Sequence, residues 1–205
     1  DTITVPSGAT FAVSGTMNAS SITAGTVATA RLGSGTASSS TVLYGDQTYK
    51  AEPGGGKILQ VQHSTYNTSD TTTSTSYEAT AMSDTITCSA TSSKVFVQFN
   101  IAYKVYVGSG ATMFGLAAIY KDVGGGGYSV LYPADADSQI AGFSYTGVTA
   151  EISLKGNSTL TYVDSPSTTS EITYKLYIAY ANGSNFVIAP AGNECSITLM
   201  EIDGS

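Results

Sequence analysis

The sequence predicts an all-β protein: a small β shaft segment followed by an antiparallel β-sandwich, with a jelly roll as the expected topology. Three observations carry this expectation. Apolar and polar residues alternate over long stretches, loops rich in Gly, Asp, Asn and Pro separate those stretches, and no helical period is convincing in the first half. In Lys94–Val107 the residues Val95, Val97, Phe99, Ile101, Tyr103, Val105 and Val107 share one face, opposite Lys94, Gln98, Asn100 and Lys104. Glu171–Ala181 repeats the pattern with Ile172, Tyr174, Leu176, Ile178 and Tyr180. Residues 148–155 alternate as well, and 57–63, 112–120, 158–163 and Cys195–Ile202 are further strand candidates. Predicted loops fall at 64–76, 124–127, 133–138, 165–170 and 182–185. Strands with one apolar face each must bury it against a second sheet. The first and last strands of a jelly roll lie side by side, so 57–63 and Cys195–Ile202 are the expected pair.

The segment Glu52-Pro53-Gly54-Gly55-Gly56 marks a boundary. It divides a shaft at residues 1–52 from a sandwich at 57–205, with a Gly-rich hinge at 53–56. Within the shaft, ITVPSGATFAV reads as two short strands around a Pro6-Ser7-Gly8 turn. Residues 22–49 carry charge only at Arg31 and Asp46, and their one sizeable aliphatic cluster is Val42-Leu43. Such a segment buries too little apolar surface to offset its own ordering entropy. It is either disordered or ordered by other chains wound against it, and the second option points to a fibrous assembly.

Composition narrows the function classes. There are 29 Thr, 28 Ser and 22 Gly, and only 11% of residues are charged, against roughly a quarter in an ordinary soluble domain. This suits an extracellular, protease-resistant surface. The net charge is −7, with one Arg and seven scattered Lys, which argues against a nucleic-acid partner. No apolar run approaches the roughly 18 residues of a membrane span, so no membrane insertion is expected. Cys88 and Cys195 are either small buried apolar residues or a disulfide between an early strand and the last one. Fourteen Tyr and no Trp leave aromatic rings on both strand faces. Tyr106 and Tyr177 point outward beside Lys104 and Lys175, as a contact surface in a trimer or as ordinary half-buried strand tyrosines.

The stretch Gly25-Thr26-Val27-Ala28-Thr29-Ala30-Arg31-Leu32-Gly33, then Gly35-Thr36-Ala37-Ser38 and Tyr44-Gly45-Asp46-Gln47-Thr48-Tyr49, resembles bacteriophage tail-fibre proteins. The opening ITVPSGATFAVSG is similar to their shaft segments. Thr91-Ser92-Ser93-Lys94-Val95, Tyr162-Val163-Asp164-Ser165-Pro166 and Thr198-Leu199-Met200-Glu201-Ile202 are similar to their distal domains. The resemblance implies an intertwined homotrimer with a shaft and a distal knob, located on the virion. It further implies other virion components at the N-terminal end and attachment to a host-surface glycan or protein. In such a trimer Arg31 of one chain would pair with Asp46 of a neighbour and set their register; the alternative is a solvated Arg31.

No constellation in the sequence points to an enzyme, and no cofactor is expected. His63 is the single histidine. Three copies near a threefold axis could bind a metal, as some fibre tips do. The His-x-His pairs of those tips are absent, so no metal is expected and a structural His63 is the better reading. No GxSxG accompanies it as a nucleophile. Asp135 and Asp137 lack the rest of a Ca²⁺ loop, and Gly124–Gly127 lacks the GK[ST] of a phosphate cradle. If the knob binds sugar, Tyr rings and Asp, Asn or Gln side chains in loops supply the stacking and hydrogen bonds. Tyr66, Asn67, Asp70, Asp135, Asp137 and Gln139 are the candidates. The rival functions are a purely structural fibre or capsid and neck decoration, and a secreted carbohydrate-binding module or adhesin.

Overall fold

The computed structural model describes residues 6–10, 29–51, 56–107, 112–132, 139–144, 152–181 and 185–204. Two units follow one another, Asp1–Pro53 and Gly54–Ser205. In the first, Ala9 N donates to Pro6 O at 3.0 Å and closes the expected turn. The strands expected to flank that turn, and most of the Gly hinge, lie outside the described residues. After a 3₁₀ turn at Thr29–Arg31, strands β1 (Thr41–Leu43) and β2 (Tyr49–Ala51) form an antiparallel hairpin.

Residues 33–35 and 47–49 meet beside this hairpin. Ser34 N donates to Gln47 O at 2.8 Å, and Tyr49 N donates to Ser34 O at 2.8 Å, so Ser34 and Thr48 form a parallel bridge. Bare α-carbons make the approach possible. A Cβ on Gly33 would lie 2.3 Å from Gln47 O, and one on Gly35 2.7 Å from Tyr49 O. Backbone bonding orders this segment, yet no side chain described between Arg31 and Ala51 is buried.

The second unit contains β3 (Ile58–Tyr66), β4 (Asp70–Thr72), β5 (Glu78–Thr87), β6 (Lys94–Val107), β7 (Thr112–Val123), β8 (Ser129–Tyr132), β9 (Gln139–Ser144), β10 (Ile152–Asp164), β11 (Glu171–Ala181), β12 (Asn185–Ile188) and β13 (Cys195–Ile202). They make two antiparallel sheets. In the first, β10 covers one edge of β6 from Val107 to Val95. The other edge is shared by β13, from Lys94 to Asn100, and β12, from Tyr103 to Tyr106. β3 pairs with β13, and β4 with β12. β3/β4 and β12/β13 are therefore two long strands, each interrupted at mid-height. In the second sheet β5, β11 and β7 lie in order, and β8 and β9 divide the far edge of β7 in the same way.

Counting each interrupted strand once, the first sheet runs first, last, third, sixth, and the second runs second, seventh, fourth, fifth. That winding is a jelly roll. The expected pairing of the first and last strands is present, with Val61 opposite Met200 and His63 opposite Thr198. β6 and β11 match their expected bounds. Residues 158–163 do not form a separate strand. They join Ile152–Lys155 in β10, and residues 148–151 lie outside the described residues. The join passes through Gly156 because the Tyr103 ring opposite fills its missing side chain; a Cβ there would lie 2.5 Å from Tyr103 Oη. The predicted loop 64–76 contains β4, and the 182–185 loop gives way to β12 at Asn185.

Between the sheets lie Val95, Val97, Phe99, Ile101 and Val105 of β6, packed with Ile172, Tyr174, Leu176 and Ile178 of β11 and with Leu199 and Ile197 of β13. Gly115 of β7 admits the Phe186 ring, which its Cβ would meet at 2.5 Å. Cys88 and Cys195 are buried free thiols. Two buried carboxylates anchor one end. Asp164 accepts from Lys121 Nζ at 2.8 Å and from Tyr174 Oη at 2.9 Å, joining the first sheet to the second. Glu201 accepts from Ser89 N (2.7 Å), Ser89 Oγ (2.6 Å), Ser93 Oγ (2.7 Å) and Gln60 Nε2 (2.6 Å).

Burial raises the Glu201 pKa, but these hydrogen bonds, from Ser89, Gln60 and Ser93, outweigh it and hold the carboxyl at about 2. The folded pKa lies below the unfolded one, so the stabilisation is complete above pH 4.5 and disappears as pH falls toward 2. The shift corresponds to about 3 kcal/mol. In chemical denaturation, Glu201→Gln should lower stability at pH 7 and flatten the loss of stability between pH 5 and 2. Gly115→Ala should cost about 1–3 kcal/mol through overpacking against Phe186, read as a lower urea midpoint.

Candidate functional site

Tyr66, Asn67 and Asp70 come together at the interruption between β3 and β4. Tyr66 Oη donates to Asp70 Oδ2 at 2.8 Å, and the same oxygen accepts from Ala81 N at 2.9 Å. Burial and then the Asp70 carboxylate push the Tyr66 pKa up to about 12. These two side chains are half-buried and fix the loop, and of the three candidates only Asn67 is exposed. Gln139 opens β9 on the other sheet, opposite Leu116. Asp135 and Asp137 lie outside the described residues.

In the first unit Arg31 and Asp46 line the same open depression. Asp46 accepts from Lys50 Nζ of its own chain at 2.5 Å, and this bond lowers its pKa. Arg31 has no carboxylate partner among the described residues. Tyr177 faces outward from the second sheet, where its ring stacks on Tyr120 with centroids 3.8 Å apart. Tyr77 leans on Tyr120, Tyr128 leans on Tyr177, and Lys175 Nζ lies 5.1 Å from the Tyr128 centroid. Burial and then Tyr128 raise the Tyr177 pKa.

Tyr106 belongs to a pocket of about 330 Å³ on the outer face of the first sheet. This volume is at the small end of ligand sites, which run from roughly 300 to 1,000 Å³. Its floor is a single cross-strand row, Thr71–Val187–Lys104–Lys155, made by the registers of β4, β12, β6 and β10. The next outward row places Asn185 opposite Tyr106. Lys104 Nζ lies 3.9 Å from the Tyr106 centroid and donates to the Tyr106 hydroxyl. Ser69, Pro190 and Ala191 complete the wall from the two strand interruptions.

These interruptions are tied together, since Ser69 Oγ donates to Ala189 O at 2.7 Å and Ala189 N donates to Ala102 O at 2.9 Å. The turn at Pro190–Gly192 is strained. Ala189 and Ala191 have φ of 48° and 54°, in the left-handed region that a Cβ disfavours. The pocket stands ten residues along β6 from Lys94, roughly 30 Å away. Lys94 pairs with Ile202 beside the entry into this unit, where Gly56 N bonds Asp203 O.

Sequence reasoning placed Tyr106 outward beside Lys104 as a trimer contact, not as part of a pocket, and it missed Lys155, Asn185, Ser69 and the Pro190–Gly192 turn. The available signal was the Lys-x-Tyr spacing of residues 104 and 106, which puts both on one strand face. The Lys104–Lys155 register pair has no sequence signal.

The arrangement supplies cations, an aromatic face, hydroxyls and an amide, which suit binding. His63 Nδ1 lies 2.9 Å from Thr198 Oγ1 on the neighbouring strand. Among the described residues no group of His, Cys, Asp or Glu is placed to hold a metal ion, and no helix is long and apolar enough to cross a membrane.

Replacing Ala191 by Gly should relieve a strain of about 1–2 kcal/mol, less about 0.5–1 kcal/mol of added chain entropy. Ala191→Gly should therefore raise the urea midpoint slightly while loosening the pocket wall. No protein-family model matches this chain, and no curated protein matches it.

Proposed function

We propose that this chain is a bacteriophage fibre protein that attaches the virion to a host-surface glycan by multivalent, non-catalytic binding as a homotrimer. The observation that carries the reading is the leader: it has backbone order but no buried side chain between Arg31 and Ala51 among those described. Neighbouring copies wound against it supply the missing burial. The motif halves that resemble tail fibres dock on one another there, at Ser34 and Thr48.

Two features of the second unit support the same reading. An apolar row, Val61–Met200–Phe96–Val163, crosses the outer face of the first sheet near the chain's entry. With Ile58 and Leu59 it forms a patch in which Ile58, Val61 and Val163 are 58%, 52% and 49% exposed. A patch of this kind suits contact between copies. The pocket lies toward the other end of the same sheet, where a neighbour on the patch leaves it open. Three weak sites per fibre then give avidity without tight single contacts.

Sedimentation equilibrium of the full chain should give three times 21.0 kDa, about 63 kDa. Val61→Asp should shift the population toward the monomer. Immobilised surface polysaccharides from a panel of bacteria should retain the wild-type trimer. A wild-type monomer of 21.0 kDa would overturn the fibre reading in favour of a secreted carbohydrate-binding module. A trimer retained by none of the polysaccharides would leave a structural fibre part.

A further inference from the structure

We infer that the pocket between Lys104 and Lys155 is selective for an acidic saccharide, with the negative group held between the two ammonium ions. This rests on the glycan-binding reading above and specifies its ligand class. Lys104 and Lys155 face each other across β6 and β10, with Cβ atoms about 5 Å apart at such a position. Like charges directly opposite on a sheet destabilise it. The chain has 15 acidic residues against 8 basic ones, yet neither lysine has a carboxylate partner among the described residues. By contrast, Lys50 pairs with Asp46 and Lys121 with Asp164.

The remaining wall chemistry fits a sugar ring. Asn185 Oδ1 is buried without a hydrogen-bond partner among the described residues, and ring hydroxyls would satisfy the amide in either orientation. The Tyr106 ring and the Val187 side chain offer apolar faces to the C–H side of a pyranose. Two lysines act as point charges on flexible stems. They accept a carboxylate, a sulfate ester or a phosphate ester alike, where an arginine fork would favour one geometry.

Isothermal titration of the full chain with trigalacturonate tests the assignment, with galactose trisaccharide as the neutral arm and inorganic phosphate as the anion without a ring. Trigalacturonate should bind at least about tenfold more tightly than either, and less tightly as salt rises. Lys155→Ala should lose about tenfold in affinity with a melting temperature that is unchanged or slightly raised, because Lys155 is exposed and faces Lys104. Lys175→Ala removes the same charge from the opposite sheet and should bind as wild type. Equal binding of the neutral trisaccharide would overturn the charge recognition, and equal binding of phosphate would overturn the saccharide. Equal loss in Lys155→Ala and Lys175→Ala would overturn the location. Absence of trigalacturonate binding overturns the ligand class alone, since the native mass and retention on the polysaccharide panel are read separately.

Discussion

Val95, Val97, Phe99, Ile101 and Val105 are each at most 1% exposed, and they lie on one strand whose two edges are both paired along nearly its full length. That strand, β6, fixes the positions of β10, β12 and β13 at once. Its inward side chains set the spacing to β11, and its outward Lys104 and Tyr106 line the pocket. A side-chain period of two leaves no freedom here: a slip of one residue would turn the valine row to solvent and Lys104 into the core. The buried apolar row thus determines where the charged residues stand.

The buried carboxylates of the sandwich, Glu201 and Asp164, lie at the end where the chain enters, while the buried Thr72 shares the row of Phe186 and Val105 toward the other end. Glu201 and Asp164 flank Val95 in the same cross-strand row. Glu201 is stabilised as an anion by neutral hydrogen-bond donors, while Asp164 is paired with the Lys121 ammonium and also accepts from Tyr174. Burial and Asp164 together raise the Tyr174 pKa, which keeps the phenol protonated as a donor. Fully partnered groups of this kind fix register as well as stability.

Strand bounds were legible where large apolar residues alternate without interruption, as in β6 and β11. They were not legible in β5, whose inward positions include Thr80 beside Met82 and Ile86, because a buried threonine reads as a surface residue. β4 was hidden inside the predicted loop 64–76, and β12 follows the predicted 182–185 loop as a short apolar run, Phe186-Val187-Ile188, without alternation; each is held by pairing with a longer neighbour. Of the site, the outward direction of Tyr106 followed from periodicity alone. Tyr66 and Asp70 have the chemistry of a sugar site but bond to each other instead. Lys155 became a partner of Lys104 only through the register of β6 with β10, and long-range register leaves no trace in local composition.

Three strands of this jelly roll are broken at mid-height, and each break leaves paired segments on both sides. Insertions or deletions at 67–69 or 191–194, where the side chains are exposed, therefore change the surface without shifting a register or opening the hydrophobic interior. The outer surface can diversify at these positions while the buried valine row of β6 is left untouched.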